Sequence, residues 1–413
     1  MSSYIINGNR RLFGEIDVQG SKNSALAILM ACIITDGQSV ISNLPNITDV
    51  TLALKILKQL GCDVSYCDEN TVKINTKNIE LTDLPAELIS SMRASSYLLG
   101  ALTARFGKCQ IPNSGGCDFG IRPIDMHIDA LCTLGAHLDA NTIYAPNGLR
   151  GGHITFHQKT VGGTVNAIIA ACLSSGMTVI SNCALEPHIK DLCDFLIKCG
   201  ANIIGGGTHV IRIRGKTRLH GCEHTIDSDM IEAGTYICAA LATKGKIKCN
   251  NAPVSELDAF LSVLKRCGAQ LSKTENAVTV SCRSLSGTEL FTEPYPGFPT
   301  DLQPQTTALL GLANGKSKIT EAIFKKRFGY LNELKKFGLQ FTVEDNSALI
   351  TGIAQYSQAN AYATDLRGGA AAVICALNAS GASTVDNAEL IDRGYSDLSK
   401  KLCSLGADIR RSI

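Results

Sequence analysis

Two textures of apolar residues alternate along the chain. One is a run dense in small and aliphatic side chains, as in residues 25–34, followed by Gly, a short β-branched segment and often Asn. It recurs at Gly37 (DGQSVISN), Gly107 (FGKCQIPN), Gly176 (SGMTVISN), Gly245 (KGKIKCNN), Gly315 (NGKSKITE) and Gly381 (SGASTVDN). The other is an amphipathic helical pattern that stops at Gly and leads into alternating segments. It recurs at Gly61 (QLGCDVSY), Gly135 (TLGAHLDA), Gly200 (KCGANIIG), Gly268 (RCGAQLSK), Gly338 (KFGLQFTV) and Gly406 (SLGADIRR). The period is about 70 residues, longer than the common solenoid repeats. A glycine placed where a helix must stop is suited to the left-handed cap that other residues resist. The polar–apolar alternation that follows predicts half-buried strands.

The unit therefore reads β-α-β-α-β-β, and the chain holds six copies. Three per domain is more compact than an open solenoid. Residues 5–7 and 15–19 are left over at the front and read as a hairpin pair, while the last copy runs out of chain soon after Gly406. The N-terminal segment is therefore expected to return and complete the C-terminal domain. One domain is expected over residues 22–227, with a mobile loop at about 112–122. The other is discontinuous, 1–21 plus 228–413, and the active site is expected in the cleft between them.

Composition narrows the function classes. With 413 residues and 45% hydrophobic content, the chain supports two ordinary cores. A net charge of +2 argues neither for nor against nucleic acid, but the lack of any Lys/Arg block of five or more and of Trp argues against a nucleic-acid scaffold. The 17 cysteines lack metal-site spacing and read as reduced thiols, most of them buried as small hydrophobes. Residues 1–20 do not resemble a signal peptide, and apolar runs are about half the ~20 residues that span a bilayer. The expectation is a cytoplasmic protein with no membrane, nucleic-acid, metal or cofactor partner.

Several segments depart from the repeat. Gly20-Ser21-Lys22-Asn23 ends a strand and opens a helix beside a lysine, an arrangement suited to anions; an ordinary capped helix start with a solvated lysine is the alternative. Asn113-Ser114-Gly115-Gly116-Cys117 runs into Gly120-Ile121-Arg122-Pro123, a glycine-rich insertion that the other five copies lack, with Arg122 near the thiol. Arg93, Arg367 and Arg393 lie on repeat-equivalent turns. Arg367 and Arg393 each follow an Asp closely, so a structural Asp–Arg pair competes with capture of a carboxylate or phosphate. Asp301, after Pro299-Thr300, is either a helix cap or a catalytic carboxylate. His127 and His188 are read as satisfied polar residues.

Taken together and in order, Lys22-Asn23, the Gly-Gly-Cys loop with Gly-Ile-Arg-Pro-Ile-Asp, Phe298-Pro299-Thr300-Asp301, Thr364-Asp365-Leu366-Arg367 and Asp392-Arg393-Gly394-Tyr395 closely resemble the enolpyruvyl transferases, specifically the branch acting on UDP-N-acetylglucosamine. The likeness spans essentially the whole chain. It implies a two-domain inside-out α/β barrel that moves the enolpyruvyl group of phosphoenolpyruvate onto the sugar 3-hydroxyl and releases phosphate. It further implies Cys117 as proton donor and adduct-forming thiol, and Asp301 as the base. Lys22, Arg122 and Arg393 would hold phosphate, Arg367 with Lys22 and Arg393 the carboxylate end, and Asn23 would orient substrate. Arg93, Arg122, Pro123, Ile124, Asp125, Met126, Thr160, Val161 and Gly162 would bind substrate, the last eight along the nucleotide, and Ile323 would lie near the sugar.

Departures from the family pattern are Ser114 before Gly-Gly-Cys, Thr160 for a frequent serine, and Gly368-Gly369-Ala370 after Arg367, which predicts a looser turn there. The sister enzyme acting on shikimate 3-phosphate is the alternative, but its Gly-Asn-Ala-Gly-Thr loop is absent. A catalytically silent UDP-sugar-binding paralogue is the other; Lys22, Cys117 and Asp301 are all retained.

Overall fold

The computed structural model describes residues 2–111 and 124–412. Within that span the chain forms two compact units, residues 20–111 with 124–227, and residues 2–19 with 228–412. Each has its own hydrophobic core.

Helices fill the centre of each unit. In the first, Lys22–Ala31 is buried from Ser24 onward and Val161–Cys172 from Gly163 onward, while Leu98–Phe106 is buried through Thr103. In the second, the central helices are Met230–Ala242, Gln303–Leu310 and Leu366–Asn378, the middle one buried at every residue. Most of these are runs dense in small and apolar residues, and a helix apolar on nearly every side belongs inside; Gln303–Leu310 is the exception, burying Gln303, Gln305, Thr306 and Thr307 as well. Burying each Ile or Leu among them contributes about 1.5–3 kcal/mol. Amphipathic helices such as Thr48–Gln59 and Pro187–Lys198 keep a polar face exposed.

Sheets form the outer layer, three to a unit. Five are four-stranded and one, Lys108–Gln110 with Thr142–Tyr144 and His137–Asp139, is three-stranded. Strand faces alternate, as where Val72 and Ile74 are buried on either side of exposed Lys73. The architecture is thus inside-out α/β, with helices within and sheets outside. Among the described residues no sheet closes on itself, so the six sheets stay separate. No helix among the described residues is long and apolar enough to cross a membrane.

The front of the chain differs from expectation. Ser3–Asn7 and Phe13–Asp17 do not form a hairpin. Ser3–Asn7 lies between Ala382–Asp386 and Asp408–Ser412, antiparallel to both. Phe13–Asp17 pairs in parallel with Lys246–Asn250. A strand that leads through a helix into the next strand usually pairs with it, as His153–Thr155 does with Met177–Ser181. Phe13–Asp17 leads through the Lys22 helix towards Gln38–Ser42, yet that strand instead takes Glu223–Thr225 in parallel. The two passages of the chain have exchanged edge strands.

Gly61 takes φ 86°, as the repeat pattern expects of its helix-ending glycine. At the Gly245 position the left-handed conformation falls on Lys244 instead (φ 52°). Gly245 serves close approach: a Cβ there would lie 2.0 Å from the Leu12 carbonyl, just ahead of the exchanged strand. The asparagines that follow the short strands also have a structural role, since Asn43, Asn182, Asn251 and Asn387 adopt φ 53–58°. Of the sixteen described cysteines, twelve are buried, which supports their reading as core hydrophobes.

Candidate active site

In the unit of residues 2–19 and 228–412, Asp301 and Arg367 meet. Asp301 lies in the tight turn Thr300–Leu302 that opens helix Gln303–Leu310, and neither element is capped by a side chain. The cap reading of Asp301 is therefore set aside. Its Oδ2 accepts from Arg367 Nε at 3.3 Å and Nη2 at 3.1 Å, and the buried Arg327 guanidinium stands 3.8 Å from Oδ1. The Asp301 side chain remains 36% exposed, so it is held in place yet open to a ligand.

Asp365, next but one to Arg367, does not serve as that arginine's ion-pair partner. It caps helix Leu366–Asn378 by accepting the backbone N–H groups of Arg367 and Gly368 at 2.9 and 3.0 Å. Likewise Asp392 accepts from Tyr4 at 3.1 Å and pairs with Arg411 at 2.5 Å. Burial alone would lower the Arg367 pKa, but Asp301 and Tyr395 outweigh it and hold the guanidinium charged. Arg367 Nη1 donates to the Tyr395 hydroxyl at 3.4 Å. That hydroxyl also meets Thr235 at 2.7 Å and accepts from Gln305 at 3.2 Å. Asp301, Arg367, Tyr395, Thr235 and Gln305 thus form one connected polar network.

The expected looser turn after Arg367 is not found. A Cβ on Gly368 would lie 2.7 Å from Tyr330 Cβ, and one on Gly369 would lie 2.7 Å from both Ala363 Cβ and Ile391 Cγ1. The glycines are there because the helix start is crowded.

Two residues of this unit were not singled out from sequence. Buried Glu321 accepts the Thr300 hydroxyl at 2.9 Å and the Ile323 N–H at 2.8 Å, tying the Asp301 turn to the half-buried Ile323. Gln19 donates to the Gly394 carbonyl and accepts from Ser396 N–H, each at 3.0 Å, which holds the Arg393-Gly394-Tyr395 turn on both sides. Nothing in their spacing marks either; a lone Glu or Gln in a strand reads as solvated until its burial is known.

In the other unit, Ser21 caps the helix that Lys22 opens, accepting from Ser24 N–H at 3.3 Å. Lys22 is not a freely solvated side chain. Its Nζ lies 2.7 Å from Asp49 Oδ2, with the lysine 12% and the aspartate 2% exposed. Asn23 beside it is half-buried.

The starts of two helices, Asp125–Thr133 and Val161–Cys172, come together through His127 and Asn166. Gly162 allows this contact, since a Cβ there would lie 2.5 Å from the imidazole. Asn166 Nδ2 meets His127 Nδ1 at 2.9 Å and donates to the carbonyls of Gly162 and Ser96, each at 3.1 Å; its Oδ1 accepts Gly100 N–H at 2.6 Å. This places exposed Asp125 and buried Met126 on one helix start, and half-buried Thr160, Val161 and Gly162 on the other, with Ile124 ahead of Asp125. Thr160 caps its helix, accepting from Gly163 N–H at 3.2 Å. Burial, and then the nearby Arg93 charge, push the His127 pKa down to about 4, so the ring is neutral. Burial also lowers the pKa of half-buried Arg93 itself. Cys117, Arg122 and Pro123 lie outside the described residues.

Comparison with known proteins agrees with this architecture. Residues 6–402 match the family described as EPSP synthase (3-phosphoshikimate 1-carboxyvinyltransferase). UDP-N-acetylglucosamine 1-carboxyvinyltransferase 2 of Caldanaerobacter subterraneus subsp. tengcongensis is 43% identical, with 100% of both chains covered. The UDP-N-acetylglucosamine 1-carboxyvinyltransferase of Clostridium botulinum is 41% identical over 100% of both. Among solved structures, the enolpyruvyl transferase NikO from Streptomyces tendae aligns with TM-score 0.89 at 25% identity, covering 100% of this chain and 99% of that one. EPSP synthase from Acinetobacter baumannii aligns with TM-score 0.76 at 17% identity, covering 100% of each, a likeness of fold. The chain belongs to the enolpyruvyl transferase family, the family of EPSP synthase, and within it to the group of the UDP-N-acetylglucosamine 1-carboxyvinyltransferases.

Proposed function

We propose that this protein transfers the enolpyruvyl group of phosphoenolpyruvate to the 3-hydroxyl of UDP-N-acetylglucosamine, with release of phosphate. The observation that carries the reading is the full-length identity of 41–43% to transferases named for that acceptor. On this reading the reaction is an addition followed by an elimination. Protonation of the methylene carbon makes its neighbour electrophilic, the sugar hydroxyl adds, and the tetrahedral adduct loses phosphate. Acid and base must act on opposite ends of the reacting pair.

The residues divide accordingly. Asp301, fixed by Arg367 and still partly exposed, is suited to take the proton of the 3-hydroxyl. Cys117 delivers the proton to the methylene carbon and can form the covalent adduct. Lys22, Arg122 and Arg393 hold phosphate, while Arg367 keeps N–H donors beyond those spent on Asp301 and Tyr395 for the carboxylate. Several cations are needed because phosphoenolpyruvate carries two anionic groups on three carbons. Asn23 and Arg93 orient substrate; Ile124, Asp125, Met126, Thr160, Val161 and Gly162 line the nucleotide with Arg122 and Pro123; Ile323 meets the sugar. The reading assigns residues of each unit to the same two substrates. It makes the protein a cytoplasmic catalyst of the first committed step of peptidoglycan synthesis, on which cell-wall biogenesis, cell shape, the cell cycle and division depend.

The test uses purified protein with phosphoenolpyruvate and either UDP-N-acetylglucosamine or shikimate 3-phosphate, following phosphate release. Phosphate is expected with the UDP-sugar alone. No release above background from a folded sample would sink the reading, and release with shikimate 3-phosphate would favour the sister activity.

A further inference from the structure

Among the described residues most cysteines are dispersed through the two cores, but Cys199 and Cys222 are in contact. The Cys199 thiol donates to Cys222 Sγ at 3.4 Å. Cys199 closes helix Pro187–Lys198 and is fully buried, whereas Cys222 stands immediately ahead of strand Glu223–Thr225 and is half-buried. The two segments are already joined by a backbone bond from His220 N–H to the Cys199 carbonyl at 3.0 Å, and strand partner Val40 donates to the Cys222 carbonyl at 2.9 Å. Both thiols are therefore presented by firmly held backbone. Bringing the sulfurs to bonding distance, about 2.05 Å, requires about 1.4 Å of closure, within the reach of small side-chain rotations.

We propose that Cys199 and Cys222 form a reversible disulfide when the protein meets a peroxide, with Cys222 as the attacking thiol and Cys199 as the resolving one. The Cys222 thiolate attacks a peroxide oxygen, the O–O bond breaks, and hydroxide leaves, giving a sulfenic acid. The Cys199 sulfur then attacks the Cys222 sulfur and expels hydroxide as the Cys199 proton is released. Two thiols and one hydrogen peroxide become one disulfide and two waters, and a dithiol reductant reverses the change.

The surroundings suit that division of labour. The hydrogen bond from Cys199 lowers the Cys222 pKa, and the Lys198 charge adds to this against the opposing effect of burial. The same contact, then burial, raises that of Cys199. The more exposed sulfur is thus the better thiolate, and the buried sulfur waits beside it. Lys198 also reaches His224 Nδ1 at 3.3 Å, and His224 in turn meets Asp191 at 2.7 Å. Asp191 accepts Asp227 N–H at 3.1 Å, and the Asp227 carbonyl accepts Ser21 N–H at 2.7 Å, at the cap of the Lys22 helix. The disulfide would close a loop over residues 199–222, around the pair Asn202–Ile204 and Val210–Arg214. It would tie the helix carrying Asp191 to the strand that leads into this chain of bonds.

The test takes the full, reduced chain, treats it with hydrogen peroxide, blocks remaining thiols with iodoacetamide in denaturant, and maps peptides without reduction. The expected product is a Cys199–Cys222 linked peptide pair that dithiothreitol releases. In Cys199→Ser the link is absent and Cys222 is trapped as a sulfenic acid, giving more dimedone adduct at Cys222 than in the parent chain. Alkylated Cys199 and Cys222 in a sample whose exposed Cys67, Cys132 and Cys403 are already oxidised would overturn the proposal. So would a link from Cys222 to a different thiol. The parent-chain map decides the question even if the variant folds poorly, and neither thiol belongs to the residues assigned to substrate.

Discussion

Asp301 and Arg367 are 66 positions apart, yet the arginine's fork closes on a single carboxylate oxygen. Sequence reading offered Asp365 and Asp392 as partners for Arg367 and Arg393 because each stands close before its arginine. For Asp365 the reason is its place at a helix start, where an aspartate is drawn to backbone N–H groups and Arg367 reaches across to another element; Asp392 is taken instead by Tyr4 and Arg411. The residue types were legible and their partners were not. His127 is the converse case, read as a satisfied polar residue and found held by Asn166. Because its pKa falls from 6.5 to about 4 on folding, the unfolded chain binds more protons than the folded one in that interval. Stability is therefore expected to decline as pH drops from 6.5 towards 4, by up to about 3 kcal/mol from this one group. In His127→Gln, the slope of unfolding free energy against pH should flatten in that window, measured by urea titration at several pH values. Parallel slopes in the two proteins would contradict the assignment.

At the scale of the element, the six repeats were readable because helix stops and strand ends leave local marks: a left-handed Gly61 after a helix, a left-handed Asn43 after a strand. What local marks do not convey is how tightly a helix start is surrounded. Gly368-Gly369 suggested looseness because glycine is flexible in isolation. In helix Leu366–Asn378 both are buried, and the space a methyl would need is already taken by Tyr330, Ala363 and Ile391. Replacing Gly by Ala in a helix normally gains about 0.5–1 kcal/mol. Here the overlap should reverse the sign, so Gly369→Ala is expected to cost about 1–3 kcal/mol, typical of overpacking. Equilibrium denaturation measures it, and a stabilised variant would show that the helix has room to shift.

For the whole molecule, the repeat count follows from sequence, whereas the exchange of edge strands does not. The pattern of residues 13–17 satisfies a parallel edge equally well beside Gln38–Ser42 or beside Lys246–Asn250, because both strands present the same alternation. The exchanged edge also carries a close backbone approach, Gly245 against Leu12, which no periodicity reveals. The hairpin expectation failed for the same reason: two short strands close in sequence pair with each other only if no better edges exist. Ser3–Asn7 instead lies between two strands of the last repeat and gains a ladder on each side. The consequence is that a residue near the front of the chain stabilises a sheet made otherwise from its last stretch. Ile6, fully buried and paired with Ser383 and Ile409, is the sharpest probe of this. Ile6→Ala is expected to lose about 2–5 kcal/mol, the cost of a cavity in a packed core. Hydrogen exchange should locate that loss in residues 382–386 and 408–412 ahead of their neighbours. A fall in protection confined to the first ten residues would mean that the front strand frays alone and does not hold the last sheet together.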